Sequence, residues 1–316
     1  MGIQNLNSFI RKKTEIDSIK KLDLSSLSGK IIAIDTSIYL YRFLSEDALL
    51  ENMYIMLSLF RYYNISSIFV FDGKPPQEKN KIIEKRNNDK NIAENKYRIL
   101  EKKLKYINSN ENKEEIVETM NSLKKKFIRI KFSDIRKVQE LIIAFGSCYI
   151  EAESEADEIC ARLVIKKYAY ACLSEDMDLF VYGCPRVLRY LSLINQSVVI
   201  YYLDKILIDL NMTLKEFKEI CVISGTDYNF SAGNITNLNK TLQYFKEFKK
   251  TSQMEFYTWL DSNTNYIDNI YKLYNIYNMF ITENIQLKKY NLDVKKNKYD
   301  ENKIKELMKP EGFIFL

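Results

Sequence analysis

The sequence predicts an α/β protein: a mainly parallel, twisted sheet with helices on both faces, carrying a helical insertion and a helical C-terminal part. Three observations predict it. Short apolar runs end in an acid, and helix-length amphipathic patterns separate them. The chain also holds only 8 Gly and 4 Pro among 316 residues, so each one marks a real turn.

Taken in order, Gly29 precedes Lys30-Ile31-Ile32-Ala33-Ile34-Asp35, an apolar run closed by a carboxylate. Ser66-Ser67-Ile68-Phe69-Val70-Phe71-Asp72-Gly73 repeats that design. Both read as buried parallel strands with the acid at the carboxyl end. Tyr168 to Leu173, followed by Ser174-Glu175-Asp176-Met177-Asp178, reads as a third, and Cys148-Tyr149-Ile150 as a short fourth. Helical patterns run from Glu46 to Tyr63, Asp134 to Phe145 and Glu155 to Lys167. Strand and helix in alternation give a mainly parallel sheet covered on both faces.

Residues 79–131 lack Gly and Pro and are rich in Lys, Glu, Asn and Ile. They read as two long helices broken near Asn108-Ser109-Asn110-Glu111-Asn112. Recurring Ile99, Leu104 and Ile107 argue against the alternative, a disordered charged linker. Tyr201 to Ile206 reads as the end of a strand, and residues 203–316 as helices. No repeat or low-complexity tail divides residues 1–316, which are expected to form a single domain.

Composition excludes several chemistries. There is no His, so neither a Ser-His-Asp triad nor a Cys-His pair nor a histidine metal ligand can exist. Any metal must be held by oxygens or thiolates, and carboxylates suit hard ions such as Mg²⁺ or Mn²⁺. Cys148, Cys160, Cys172, Cys184 and Cys221 contain no Cys-x-x-Cys pair and read as buried free thiols. No apolar run reaches the eighteen residues of a membrane span, and the start carries neither a myristoylation nor a secretory signal, so an intracellular, reducing compartment is expected. Net charge is +6, unevenly spread: residues 79–137 hold 18 Lys and Arg against 9 Asp and Glu. One basic element beside an acidic remainder fits phosphate binding, with a solvated helical face as the alternative.

Ligands of open parallel sheets sit at the carboxyl ends of the strands. Asp35, Asp72, Asp176 and Asp178 occupy those ends. Glu151-Ala152-Glu153-Ser154-Glu155-Ala156-Asp157 adds acids at the start of a helix, and Ser224-Gly225-Thr226-Asp227-Tyr228 another after one. Gathered like charges resist ionisation unless cations join them. Two divalent ions about 4 Å apart can activate water and stabilise the leaving oxygen of a phosphodiester. The alternative is a scattered acidic rim.

At these residues the chain resembles the flap endonucleases and their exonuclease relatives, with their PIN-like fold. Met1-Gly2-Ile3-Gln4-Asn5-Leu6 resembles their start. Ile32-Ala33-Ile34-Asp35-Thr36-Ser37 and Val70-Phe71-Asp72-Gly73-Lys74-Pro75-Pro76 resemble their first two metal-ligand strands. Ser154-Glu155-Ala156-Asp157, Ser174-Glu175-Asp176-Met177-Asp178 and Gly225-Thr226-Asp227-Tyr228 resemble their Ser-Glu-Ala-Glu, Thr-Glu-Asp-Met-Asp and Gly-Ser-Asp-Tyr motifs. The order agrees over residues 1 to about 245.

The resemblance implies hydrolysis of branched or flapped DNA near a 5′ end, in replication, repair or recombination. It implies that Asp35, Asp72, Glu155, Asp157, Asp176, Asp178 and Asp227 hold two Mg²⁺ ions, with Mn²⁺ as a substitute. Lys79 and Arg86 would contact the scissile phosphate, the alternative being ordinary surface cations. Tyr41 would stack on the terminal base, the alternative being a buried aromatic. Gly2 would let the chain end approach DNA. Residues 79–131 would be a basic helical arch around the single-stranded 5′ flap. A degenerate helix-two-turn-helix near residues 221–245 would grip the duplex through Gly233. A monomer at replication sites is expected, in the nucleus by resemblance or in a cytoplasmic replication site if the source is viral.

Four departures stand out. Asp157 replaces Glu. Only 36 residues separate Asp35 from Asp72, so the wedge and the 3′-flap pocket are shortened. Ser231-Ala232-Gly233-Asn234-Ile235-Thr236-Asn237 keeps one glycine of the usual Gly-x-Gly. No sliding-clamp peptide is evident before Leu316. Competing readings are a junction resolvase of the same superfamily, a non-catalytic DNA-binding member and a phosphatase. Retention of all seven carboxylates opposes the second, and the basic insertion opposes the third.

Overall fold

The computed structural model describes residues 3, 5–104, 110–228, 237–251, 254–290, 292 and 297–315. Along the chain come α1 (Leu6–Lys13), β1 (Ile19–Asp23), β2 (Ile31–Asp35), α2 (Thr36–Ser45), α3 (Leu49–Tyr62), β3 (Ser66–Phe71), α4 (Asn80–Leu104), α5 (Asn110–Lys124), α6 (Phe132–Ala144) and β4 (Cys148–Glu151). There follow α7 (Ala156–Ile165), β5 (Ala171–Leu173), α8 (Asp178–Val181), β6 (Arg186–Ser192), β7 (Ser197–Tyr202), α9 (Leu203–Leu210), α10 (Leu214–Ser224), α11 (Leu238–Thr251), α12 (Phe256–Asn263), α13 (Ile270–Met279) and α14 (Glu301–Met308).

The strands form one sheet in the order β1-β7-β6-β5-β2-β3-β4. From β6 to β4 every pairing is parallel, and β7 and β1 add antiparallel strands at one edge. The chain leaves β2 toward β3 and β4, then crosses back to place β5 on the other side of β2. That reversal opens a crevice at the carboxyl ends of β2 and β5, where a doubly wound sheet accepts ligands.

Successive side chains of a strand face opposite ways. Ala33, Ile68, Val70, Cys148 and Cys172 point to a core covered by α1 and α7 through α13. Ile32, Ile34, Phe69, Phe71 and Leu173 point to a second core under α2, α3, α6 and α14. The five cysteines are buried and none is in a disulfide, as read from the sequence. The helices after Leu203 do not form one block: Ile304 and Met308 of α14 cross to the second core, away from α9 to α13.

Several boundaries differ from the sequence reading. The helix expected from Glu46 begins at Leu49 and is preceded by α2. The strand expected from Tyr168 begins at Ala171, because the amides of Tyr168 and Ala169 both bond to Leu163 O and close α7 instead. Strand β1 and most of the β6–β7 pair were not anticipated. Lys20 and Lys21 on an edge strand hide the alternation that marks a buried one.

The basic segment forms α4 and α5. The segment after α5 packs against the middle of α4, where Arg129 Nη2 donates to Asn91 Oδ1 (2.9 Å) and Glu94 Oε2 (3.2 Å), and Tyr97 meets Phe127 edge-on at 5.5 Å. Among the described residues no helix is long and apolar enough to cross a membrane.

Candidate active site

Alternation decides where the strand-end acids point. Asp35 follows Ile34, which faces the second core, and so shares the face of Ala33, and Asp72 shares that of Val70. Strands β2 and β3 are hydrogen-bonded neighbours, which brings the two carboxylates side by side. Ser174, on the same face at the end of β5, donates its hydroxyl to Asp35 Oδ2 (2.8 Å). Asp72 Oδ1 accepts the Ala156 amide (2.8 Å), an otherwise orphaned donor at the start of α7. This contact needs Gly73: a Cβ there would fall 2.0 Å from Ala152 O. The close approach also lets the Gly73 amide bond to Ser154 O (2.6 Å).

Helix α7 brings Glu155 at its N-cap and Asp157 in its first turn. The loop after β5 folds on itself, with the Asp176 amide on Ser174 Oγ and the Asp178 amide on Asp176 Oδ1, both 3.0 Å. Glu175 turns away to Arg189, which donates to its carbonyl (2.8 Å). Gly225, with φ 113°, ends α10 and turns the chain so that Asp227 enters the same space.

Asp35, Asp72, Glu155, Asp157, Asp176 and Asp227 line one cleft of about 700 Å³, with Asp178 buried beside them at 3% exposure. Tyr41, Lys79, Arg86, Lys90, Lys125 and Lys126 line it too. Lys79 Nζ lies 2.6 Å from Glu155 Oε1 and 3.9 Å from Asp227 Oδ2, and Arg86 Nη2 lies 2.6 Å from Asp227 Oδ2.

Burial pushes the Asp35 carboxyl up to about 8, helped by the negative charge of Asp72. Asp157 rises well above the carboxylate range through burial, with Asp35 and Asp176 adding to it. Asp178 rises for the same first reason and because of Asp176, against Lys79. Burial pulls Lys79 down, but Glu155 and Asp227 together outweigh it and hold the ammonium. A protein that concentrates ionisable acids in this way is poised to accept positive charge.

The donor set fits a hard divalent ion. It consists of oxygens, and among the described residues Asp157 Oδ1 and Asp178 Oδ1 are buried without a hydrogen-bond partner. Among the described residues no three acids or cysteines are already spaced as a closed metal cage. Lys79 pairs with Glu155 and Asp227, and Arg86 with Asp227, so two of the cleft's acids are partly neutralised by the chain's own cations.

The cleft thus unites six of the seven acids singled out in the sequence with Lys79, Arg86 and Tyr41, and the seventh adjoins it. Tyr41 is 43% exposed, with Lys90 Nζ 4.9 Å from its ring centroid, so it is not a core aromatic. Gly2 and Gly233 lie outside the described residues. Sequence reasoning missed Ser174 as a partner of Asp35. It also missed Glu158, pushed up to about 7 by burial and by Glu155, and the cleft-facing Lys90, Lys125 and Lys126. The position of Ser174 after an apolar run, and the basic excess of residues 79–137 that contains the three lysines, were the available signals; nothing marked Glu158.

The XPG N-terminal domain family matches residues 1–93 and the XPG I-region family residues 146–227. Flap endonuclease 1 of Branchiostoma floridae is 30% identical over 80% of this chain and 68% of its own. The chain belongs to the flap endonuclease family. It is a nuclease, a hydrolase acting on DNA phosphodiester bonds. Flap endonuclease 1 of Methanococcus aeolicus is 27% identical over 96% of this chain and 93% of its own, whereas the chain spans 61% of the Xenopus tropicalis protein. Among solved structures, the catalytic core of Rad2 with a DNA substrate superposes with a TM-score of 0.68 at 19% identity, covering 99% of this chain and 96% of that one. A Holliday junction-resolving enzyme, GEN1, solved with product DNA and Mg²⁺, superposes at 0.63 with 16% identity, covering 98% and 73%. Both share the α/β nuclease fold.

Proposed function

We propose that this flap endonuclease family member cuts branched DNA near a 5′ end, as a 5′ flap endonuclease and 5′–3′ exonuclease. The observation that carries the reading is the cleft itself, where acids from β2, β3, α7, α8 and the loop after α10 meet cations from the base of α4. Asp35, Asp72, Glu155, Asp157, Asp176, Asp178 and Asp227 would hold two Mg²⁺ ions, or Mn²⁺ in their place. When bound, such ions supply charge neutralisation and Lewis-acid activation at a phosphodiester.

The chain's own residues do the rest. Lys79 and Arg86 are held at the acids by ion pairs, and both reach the space a scissile phosphate would enter. A fixed cation there favours the charge that develops on the phosphoryl oxygens. Tyr41 offers a half-exposed ring on which a terminal base can stack without regard to sequence. Residues 79–131 would act as a basic arch over the flap, and α10 and α11 as the arms of a helix-two-turn-helix on the duplex. We place the enzyme, as a monomer, at intracellular sites of DNA replication.

The test is cleavage of a 5′-labelled flap substrate by wild type and Asp178→Ala, with Mg²⁺ or EDTA. Wild type should cut only with Mg²⁺. Asp178→Ala should bind DNA normally and lose roughly a hundred-fold or more in rate. Normal turnover by that variant in Mg²⁺ would refute the metal-site assignment.

A further inference from the structure

Behind the cleft lies a pair of buried tyrosines that the metal and phosphate roles leave unexplained. Tyr182 follows α8, one turn after Asp178, and its amide bonds to Asp178 O (3.0 Å). Tyr228 follows Asp227. They are 2% and 5% exposed, and their hydroxyl oxygens lie 2.9 Å apart. The Tyr228 hydroxyl also bonds to Glu155 Oε2. A carboxylate only accepts, so the single Tyr228 proton goes to Glu155, and Tyr182 must donate to Tyr228. The direction of the chain is thereby fixed: Tyr182 to Tyr228 to Glu155.

Tyr228 touches the cleft a second time. Lys79 Nζ lies 4.7 Å from its ring centroid while pairing with Glu155 Oε1 at 2.6 Å. One ring therefore sets both partners of that ion pair, through its hydroxyl and through its face. Phe280, just past α13, packs on both tyrosines, with ring centroids 4.8 Å from Tyr182 and 5.3 Å from Tyr228.

We infer that Tyr182 is a positioning residue for the nuclease reaction. It acts through Tyr228 to fix Glu155 and Lys79, and it ties them to the turn that carries Asp178. The inference rests on the proposed nuclease site. Each hydroxyl polarises the next, so donation by Tyr182 strengthens the bond from Tyr228 to Glu155. Without it the Tyr228 hydroxyl gains freedom to leave Glu155, and the ion pair loses its fixed geometry. Groups that orient a metal-binding carboxylate from behind matter for affinity as well as for rate.

The experiment is a double-mutant cycle of Tyr182→Phe, Tyr228→Phe and the double variant, each keeping its ring. Three quantities are measured: single-turnover cleavage of a 5′-flap DNA in Mg²⁺, DNA affinity, and Mg²⁺ affinity of the DNA-free protein by calorimetry. Tyr182→Phe should slow cleavage about five-fold and Tyr228→Phe about thirty-fold, with DNA affinity unchanged. The double variant should match Tyr228→Phe alone, because Tyr182 acts only through Tyr228. Mg²⁺ binding should weaken in both single variants. Losses that multiply in the double variant, or a Tyr182→Phe rate within two-fold of wild type, overturn the relay, even if that variant melts earlier. A wild type that fails to cut in Mg²⁺ refutes the nuclease reading instead, and the calorimetric comparison still judges the relay.

Discussion

Replacing Glu219 by Gln tests how the fold carries its acids away from the cleft. Glu219 sits on α10, 3% exposed, on the helix that ends at Ser224 just before Asp227. Burial pushes its carboxyl up to about 7; Lys215 opposes the shift, and Glu255 and Glu216 add to it. The folded state therefore holds a proton that the unfolded chain has released above its ordinary value near 4.5. The stabilisation from that proton is fully present below pH 4.5 and is lost as pH rises through about 7. Between pH 5.5 and 8.5 this one group should account for about 2 kcal/mol of lost stability. Gln keeps the volume and stays neutral, so the variant should lack that part of the slope. The assay is urea unfolding of both proteins in EDTA at the two pH values. Comparing slopes cancels the contributions of Asp35 and Glu158, which are raised in the same direction. Parallel pH profiles for the two proteins, with equal m values, would show that Glu219 is ionised in the fold and the reasoning wrong.

Two further outcomes follow from the cleft. Lys79→Ala and Arg86→Ala should each lower single-turnover cleavage by about ten-fold or more while weakening DNA binding far less, read from rate and affinity on one flap substrate. Equal losses in both would make these cations simple binding contacts. The 36 residues between Asp35 and Asp72 leave little chain for a 3′-flap pocket, so adding a one-nucleotide 3′ flap should change single-turnover cleavage by less than about two-fold. Affinity should fall steeply between low and moderate salt, since phosphate contacts dominate the grip. A large gain from the 3′ nucleotide would mean that another part of the chain builds the pocket.

Much of the site was legible in the sequence because it hangs on the most regular part of the fold. Buried parallel strands are continuous apolar runs, so β2 and β3 announced themselves, and Asp35 and Asp72 stood at their ends. Asp176 and Asp178 were legible for the same reason, following the apolar run of β5, and Glu155 and Asp157 because they open a helix, whereas α8 itself was not foreseen. Legibility failed where the pattern is shared between solvent and core. Strand β1 carries Lys20 and Lys21 on an edge. The helix α14 has the same amphipathic signature as α11, yet packs in the opposite core. Periodicity states that a helix has an apolar face and is silent on which core receives it.

By itself, then, the sequence determined the absence of histidine donors, the α/β alternation and the strand-end acids, since these follow from residue type and local spacing. Tertiary structure alone decided which charges meet. Strand order placed Ser174 of the β5 end against Asp35. Of the 18 cations in residues 79–137, the packing of α4 and the segment after α5 brought Lys79, Arg86, Lys90, Lys125 and Lys126 to the cleft. Tertiary structure also joined Tyr182 to Tyr228 across 46 residues, and both to Phe280 from beyond α13. Local propensity acts over a few residues, whereas hydrogen bonds and ion pairs act over a few ångströms, and only the packed chain converts one scale into the other.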